Sequence, residues 1–308
     1  IKDVNNKLRK KKLNNAQSLL YKKQSKELAE ALRRLKDKNT DVNDSIEYAR
    51  KIQVSLLEPQ LNNSISLCKA SFLLYQPKDV VSGDFYWCHE DITGSYIAAV
   101  DCTGHGVPGA ILSVLGVTLL NQIIVHDKIS QPSEILAKLR DNVIDALSND
   151  EGFAAGEGMD IALVKINWSL KTLEYAGANN PLYLTRLKKD ITSDLSKYNV
   201  MEQEGSALLE FKADKLPIGK YLSSKSKYLN YSINILEGDH IYIFSDGYKD
   251  QFGGPKNKKF KSKALKSKFL EVKSLSMLDQ KENLLNTFED WKGNLEQVDD
   301  VLIVGIEI

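Results

Sequence analysis

The chain has 308 residues, of which 42% are hydrophobic and 27% charged, and its formal net charge is +1. This length and composition allow one large core or two smaller ones, which excludes an intrinsically disordered protein and predicts a soluble globular one. No apolar run approaches the roughly 20 residues that span a bilayer, and we find no secretory apolar segment. Because the chain begins at Ile1, we expect it to be a fragment of a longer protein.

The N-terminal segment is basic, with 13 Lys and Arg against four Asp and Glu in the first 40 residues. Such a helix is most often a solvated face, and contact with nucleic acid or a membrane is the alternative. From residue 28 onward, apolar side chains recur every three and four residues, as in a coiled-coil seam. The a positions hold Leu32, Asn39, Ile46 and Gln53, and the d positions hold Leu28, Leu35, Val42, Ala49 and Leu56.

A polar Asn39 at an a position favours a parallel dimer in one register, so the segment predicts a homodimer. The alternative is that the same stripe packs against the helix's own domain. We place the boundary near Pro59, with a coiled-coil linker helix over residues 1–58 and a second domain over 59–308.

After Pro59 the pattern changes to short β-branched or aromatic segments bounded by Gly, Asn, Asp or Pro, which predict strands. The predicted strands are 65–75, 84–88, 95–101, 159–167, 171–177, 181–187, 229–236, 239–245 and 298–308. Helices are predicted over 108–126 and 132–148, and over 261–292 in two pieces. Because several strands follow one another without a helix between them, the fold class is α+β with mainly antiparallel sheets. The polar stretch 189–208 is predicted to be a mobile loop.

The three cysteines, Cys68, Cys88 and Cys102, form no CxxC pair and suit a reducing cytoplasm. Cys88 and Cys102, with the histidines at 89 and 105, could supply a zinc site, but structural zinc sites use close ligand pairs. The simpler interpretation is that the cysteines are small core residues.

Acidic residues stand at the ends of apolar strands or in glycine turns, where an unpaired carboxylate is unfavourable near a core. They are Asp84 in VVSGDFYW, Asp101 in AAVDCTGHG, Asp246 in IYIFSDGYKD, and the pair Asp299 and Asp300 in EQVDDVLIVGI. Taken singly, an Asp in such a turn more often hydrogen-bonds its own backbone. Because Lys and Arg are scarce beside all of these motifs, the set favours oxygen ligands for hard divalent cations.

These motifs, in this order over about residues 60–308, resemble the SpoIIE-like bacterial branch of the metal-dependent type 2C (PPM) serine/threonine protein phosphatases. The segments GMDIAL, LEYAGANNPLYL and KADKLPIG are also similar to that branch, and SIEYARKIQVSLLEP looks like its linker to upstream modules. The resemblance implies an α-β-β-α sandwich of two mainly antiparallel sheets flanked by helices.

The resemblance also implies two Mn²⁺ or Mg²⁺ ions that activate a water for in-line attack on phosphorus. Asp101 would bridge the ions and the Cys102 carbonyl would face one of them. Asp84 would hold the first metal, partly through waters, and Asp246 and Asp299 would hold the second. The acids at 101 and 246 are therefore the predicted catalytic centre, together with His105.

His105 stands four residues after Asp101, whereas type 2C enzymes have a histidine two residues after the bridging acid. It is either a proton donor to the leaving oxygen or a brace for its turn. Asp300 could support the site from behind, and sequence alone does not separate its role from that of its neighbour. Asp250 and, more weakly, Asp160 are candidates for a third metal. No arginine flanks the first motif to clamp phosphate, so Asn179, Asn180 or backbone amides are expected to help.

The resemblance implies a phosphatase that acts on phosphoserine or phosphothreonine of a partner protein, with an anti-sigma-factor antagonist as one candidate substrate. Its activity would be switched through the linker helix by an upstream sensor or signalling module. We expect a cytoplasmic protein, tethered or not to a membrane sensor, and no nucleic-acid partner. The lysine-rich stretch 256–268 is either a solvated helix start or a docking surface for an acidic phosphoprotein. The alternative function is a regulatory module that keeps the fold and dimer but works mainly by binding a partner.

Overall fold

The computed structural model describes residues 2–63, 70–147, 157–192, 195, 198–220 and 227–308, with side chains in the first helix from 18 to 57. The chain divides into two compact units, Ile1–Tyr48 and Ala49–Ile308. The first helix, α1 (Lys2–Asn63), contributes to both units and passes the predicted boundary after residue 58 without a break.

In the first unit, most apolar side chains at the predicted seam positions are exposed, and Ile46 is partly buried. Leu28, Leu32, Leu35 and Val42 are each more than half exposed in the single chain. A helix of this kind, with a stripe of uncovered leucines, has no core of its own to bury them.

The second unit contains two main antiparallel sheets and a short hairpin. Its strands are β1 (Ala70–Gln76), β2 (Phe85–Asp91), β3 (Gly94–Cys102), β4 (Gly158–Asn167), β5 (Thr172–Ala178), β6 (Leu182–Leu187), β7 (Asn199–Gln203), β8 (Ser206–Phe211), β9 (Ile218–Gly219), β10 (Tyr231–Asn234), β11 (His240–Phe244), β12 (Phe252–Gly253), β13 (Lys258–Lys259) and β14 (Val301–Glu307). The first sheet has the order β1-β14-β11-β6-β8-β7, and the second has the order β10-β5-β4-β3-β2, with β9 beside β4. Strand β3 of the second sheet contacts β11 and β14 of the first, so the two sheets pack face to face.

Helices cover the outer faces of both sheets. They are α2 (Val107–Leu120), α3 (Pro132–Leu147), α4 (Gly247–Asp250), α5 (Ser262–Val272) and α6 (Met277–Lys292), with a π-helical turn Asn121–His126 after α2 and a 3-10 turn Lys188–Asp190. Helices α2 and α3 lie on the second sheet, and α5 and α6 lie on the first. The layers therefore follow the order α-β-β-α, which confirms the predicted fold class.

The stretch Val107–His126 is long and apolar enough to cross a membrane by length and composition, contrary to the expectation that no apolar run approaches that length. Half of this window is buried inside the unit. Because α2 contacts β2, β3 and α3, the stretch is explained as a core helix of the sandwich.

The predicted strands and helices agree with the structure except at a few places. The stretch predicted as a mobile loop over 189–208 instead contains β7 and the start of β8, joined by the tight turn at Glu204 and Gly205. Part of the predicted strand 65–75 lies outside the described residues, as does Cys68. Cys88 and Cys102 are buried, as small core residues are.

Gln53 does not occupy a coiled-coil seam position, so that part of the register prediction is wrong. Its side chain is 4% exposed and lies inside the second unit. Its Nε2 donates to the Ser82 carbonyl at 2.6 Å and to Ser113 Oγ at 2.8 Å, and its Oε1 accepts from the Ser82 amide at 3.2 Å. The heptad pattern continues through a part of the helix that packs on its own domain.

Candidate metal centre

One end of the second sheet carries three of the acidic residues that the sequence singles out. Asp84 immediately precedes β2, and Asp101 is the penultimate residue of β3. Asp160 on β4 lies directly opposite Asp101 in the antiparallel register. Neighbouring strands therefore bring these carboxylates to one edge.

The first sheet brings two more acids to the same place. Asp246 follows β11 and stands at the N-terminus of α4, and Asp299 lies two residues before β14. The Asp246 amide is 3.5 Å from Asp101 Oδ2, a long contact that joins the two sheets. The acids from distant parts of the chain thus meet at one end of the sandwich.

Burial and mutual repulsion dominate the electrostatics of this end. Burial, followed by the charge of Asp101, raises the pKa of Asp84 well above its ordinary value. Burial, followed by the charge of Asp246, does the same for the pKa of Asp101. Asp84 is 2% exposed, and its Oδ2 has no hydrogen-bond partner. An ionised carboxylate in this position lacks the counter-charge that burial requires.

The pKa values of two neighbouring acids, Asp160 and Asp299, are also raised. Burial raises the pKa of Asp160 to about 6, although the Asn179 side chain donates to its Oδ1 at 2.8 Å and opposes the shift. Burial also raises the pKa of Asp299, with Asp246 adding repulsion. The Lys249 ammonium lies 3.6 Å from Asp246 Oδ2, and its side chain is partly buried. One lysine at this distance offsets only part of the negative charge.

The carboxylate of Asp300 is hydrogen-bonded by backbone amides on both oxygens. Its Oδ1 accepts from the Lys78 amide at 2.7 Å and its Oδ2 from the Gly83 amide at 2.8 Å. Both oxygens are therefore engaged in holding the loop that ends in Asp84. This geometry favours a supporting role for Asp300 and leaves its neighbour to face the acidic cluster.

The loop before β2 and the loop after β3 contact each other through their backbones. A Cβ on Gly83 would lie 2.6 Å from the Gly104 carbonyl oxygen and 3.2 Å from that of Cys102. Only glycine allows this approach, because the nearest atoms are backbone atoms that cannot move aside cheaply. The Cys102 carbonyl oxygen therefore lies close to Gly83, the residue before Asp84.

The donor chemistry of the cluster fits Mg²⁺ or Mn²⁺, which prefer carboxylate and carbonyl oxygens. A cation beside Asp84 would give its unpaired Oδ2 a partner and offset the repulsion that raises its pKa. Among the residues that the structure describes, no three His, Cys, Asp or Glu side chains lie at the spacing of direct ligands. Mg²⁺ commonly binds proteins through one or two carboxylates and several waters, so the fit does not require a closed cage of side chains.

The structure places the other predicted site residues around this cluster. Asp250 pairs with Lys259 at 3.1 Å, and Asn179 is held by Asp160. Asn180 is buried, and its Nδ2 has no partner among the described atoms. His105 Nδ1 lies 2.6 Å from Asp79 Oδ2 at the exposed rim, in the loop after β3.

The contacts of two residues that matter to this geometry could not be predicted from the sequence. Asp79 is 26 positions from His105, and no local pattern signals that they meet. Gln53 follows the coiled-coil register so well that its packing against Ser82 cannot be read from spacing. A stronger signal was available in the Gly83 motif, because a glycine beside a buried acid often marks close backbone approach.

Comparison with known proteins agrees with this architecture. Residues 93–308 match the family model described as Stage II sporulation protein E (SpoIIE). No curated protein sequence matches the chain.

Solved structures of similar fold include the SiaA-PP2C domain of Pseudomonas aeruginosa, with 28% identity, a TM-score of 0.73, and coverage of 88% of this chain and 98% of that one. The PP2C phosphatase domain of SpoIIE from Bacillus subtilis, solved with a fragment of its regulatory domain, has 17% identity and a TM-score of 0.58, covering 78% and 63%. The S. agalactiae serine/threonine phosphatase has 16% identity and a TM-score of 0.51, covering 78% and 99%. The family model spans more than half of the chain, and the matched range contains Asp101, Asp246 and Asp299. The chain therefore belongs to the SpoIIE family of protein phosphatases with the PP2C fold.

Proposed function

We propose that the protein is a metal-dependent serine/threonine protein phosphatase. The observation that carries the proposal is the buried acidic cluster at one end of the sandwich. Burial raises the pKa of Asp84 and of Asp101, with the charge of Asp101 adding to the first shift and that of Asp246 to the second, and one Asp84 oxygen lacks any partner. Two divalent cations would offset this repulsion.

The chain's own residues would divide the work between the two sheets. Asp84, Asp101 and the Cys102 carbonyl would hold an ion from the second sheet, and Asp246 and Asp299 would hold one from the first. Bound Mg²⁺ or Mn²⁺ supplies Lewis-acid chemistry: it lowers the pKa of water and offsets charge on phosphoryl oxygens.

The substrate we propose is phosphoserine or phosphothreonine in a partner regulatory protein of the cytoplasm. Family membership supports a phosphoprotein, and an anti-sigma-factor antagonist is one candidate. The His105 and Asp79 side chains, in the loops that carry the first acids, are 53% and 43% exposed, which supports access of a protein substrate to these loops.

Regulation through α1 is part of the proposal. Gln53 on this helix holds both the amide and the carbonyl of Ser82, two residues before Asp84, and also contacts Ser113 on α2. A rotation or shift of the helix would therefore move the loop that carries Asp84. An upstream sensor module could act through this contact, and a homodimer formed by the exposed seam would set the helix position.

The test is hydrolysis of p-nitrophenyl phosphate and of a phosphoserine peptide with and without Mn²⁺. We expect metal-dependent turnover that falls at least about 100-fold in Asp101→Asn and Asp246→Asn. Asp145→Asn, an exposed carboxylate on α3, is the matched control and should keep full activity. Mn²⁺ should also raise the melting temperature of the wild type but not of Asp101→Asn. If the wild type has no turnover but still binds a partner protein, the alternative function, a regulatory binding module, would be favoured over the phosphatase.

A further inference from the structure

A hydrogen-bonded pair of side chains joins the two loops that carry the first acids of the candidate site. Asp79 lies in the loop between β1 and β2, five residues before Asp84. His105 lies in the loop between β3 and α2, four residues after Asp101. The Asp79 Oδ2 and the His105 Nδ1 are 2.6 Å apart, which is the distance of a strong hydrogen bond.

The backbone lies close to this pair on both sides. Asp300 holds the amide of Lys78, the residue before Asp79, at 2.7 Å. On the other side, Gly106 has a φ of 68°, and a Cβ there would lie 3.5 Å from Asp79 Oδ2. The Asp79 carboxylate therefore lies beside the turn that presents His105.

Stability gives little reason for this pair. The two side chains are 53% and 43% exposed, and exposed ion pairs contribute at most about 1 kcal/mol. An aspartate that accepts the Nδ1 hydrogen of an imidazole fixes the ring orientation and the tautomer and stabilises the protonated ring. The opposite nitrogen, Nε2, has no hydrogen-bond partner among the residues that the structure describes.

We propose that Asp79 is a positioning residue that makes His105 the general acid for the leaving group. This inference rests on the proposed phosphatase function. As the phosphorus–oxygen bond breaks, its electron pair passes to the seryl or threonyl oxygen, and the Nε2 proton of His105 moves to that oxygen to give the free hydroxyl. The attacking water supplies the new phosphorus–oxygen bond and releases its proton to solvent. The neutral imidazole then takes a proton back from solvent.

Leaving-group dependence tests this role, because a good leaving group needs no proton from the enzyme. For Asp79→Asn we expect kcat on a phosphoserine peptide to fall about 10- to 100-fold, while kcat on p-nitrophenyl phosphate changes less than about 3-fold. His105→Gln should show the same selectivity with a loss of about 100-fold or more on the peptide. Asp145→Asn is again the matched control, with both rates unchanged.

A double variant tests whether Asp79 and His105 act together in one step or contribute independently to the structure. If Asp79 acts only through His105, then Asp79→Asn combined with His105→Gln should be no slower on the peptide than His105→Gln alone. Additive losses would overturn the proposal. Equal losses on both substrates would also overturn it, because they would indicate damage to the acidic cluster.

Nitrogen NMR of the four histidines gives a readout that needs neither metal nor turnover. The His105 signals are identified by their loss in His105→Gln. We expect a protonated Nδ1 with a strongly downfield proton in the wild type and an upfield shift of that proton in Asp79→Asn. A wild-type His105 without a protonated Nδ1 would refute the dyad even in an active phosphatase. A wild type without phosphatase activity would refute the proposed function and therefore also the role of His105 as general acid. The NMR result on the pairing of the two side chains would not change that conclusion.

Discussion

Asp84 and Asp300 are both 2% exposed and lie at the same end of the fold, yet their surroundings differ. Asp300 has an amide donor for each oxygen, from Lys78 and Gly83. Asp84 has an oxygen without any donor. A buried carboxylate that is fully hydrogen-bonded stabilises the fold, whereas one that lacks donors requires another source of positive charge. This difference separates the supporting acid from the predicted ligand.

Asp300→Asn should therefore destabilise the protein. An asparagine keeps one acceptor oxygen but turns an amide group toward a backbone donor, so one buried N–H loses its partner. We expect the free energy of unfolding, measured by urea titration without metal, to fall by about 2–4 kcal/mol. Asp299→Asn is the matched control: it relieves repulsion and should leave that stability unchanged or higher, while Mn²⁺-dependent turnover is lost. Equal destabilisation by both changes would contradict the division of roles.

Asp160 gives a prediction for pH. Its pKa in the folded protein is about 6, above the ordinary value of 3.8, so the folded state binds this proton more tightly than the unfolded state. Its contribution to stability is fully present below about pH 4 and is lost as the pH rises through about 6. Without metal, Asp160→Asn should therefore gain stability over the wild type as the pH increases across this window. A pH series of melting temperatures measures the difference, and a constant offset from pH 4 to 7 would contradict the shift.

At the scale of loops and helices, the close contact at Gly83 makes the acidic cluster sensitive to a single methyl group. Gly83→Ala would push the Gly104 carbonyl away from a 2.6 Å contact and move the Asp84 loop from the loop after β3. We expect turnover to fall at least about tenfold, with a lower melting temperature, as overpacking typically destabilises by about 1–3 kcal/mol. Val80→Ala, in the same loop but half exposed, should keep activity. Normal turnover in Gly83→Ala would show that the loop approach does not matter.

The contact of α1 with the Ser82 segment gives a second prediction at this scale. Gln53→Ala leaves the Ser82 amide and carbonyl without their partner, which typically costs about 1–3 kcal/mol for each buried group. We expect lower unfolding stability and lower Mn²⁺-dependent turnover, because Asp84 follows two residues later. Gln24→Ala, on the exposed part of the same helix, is the control and should change neither. Full activity in Gln53→Ala would remove the link between helix and loop.

Some elements and contacts of this fold can be predicted from the sequence and others cannot. The acids at 84, 101, 246 and 299 could be predicted to converge, because each stands beside an apolar strand where an unpaired charge is unfavourable. The β7–β8 hairpin could not be predicted from the sequence, because its turn residues Glu204 and Gly205 lack the strong Asn-Gly or Asp-Gly signal. Both residues nevertheless adopt positive φ. The contacts of Asp79 and Gln53 are tertiary and leave no local periodicity. What spacing alone reveals is the local element, and what it misses is the partner supplied by a distant loop.

For the whole molecule, the exposed leucines of α1 are the strongest indication of a second copy. Leu28, Leu32 and Leu35 are each more than half exposed and recur at the spacing of a coiled-coil seam. Scattered exposed leucines are ordinary, but a continuous stripe on a long helix is unfavourable in water unless another helix covers it. Asn39, four residues after Leu35, would then pair with its counterpart and fix a parallel register.

Light scattering of the whole chain should give a mass about twice 34.6 kDa. Leu32→Asp combined with Leu35→Asp places charges inside the seam and should reduce the mass to that of one chain, because the buried carboxylates would lack partners. Arg33→Asp combined with Arg34→Asp changes charge on the outer face of the same turn and should leave the dimer intact. A monomeric wild type would refute the coiled-coil seam. If both double variants lost the dimer, the cause would be the added charge on the helix in general. Only a buried seam makes substitutions at adjacent positions of one turn differ in their effect.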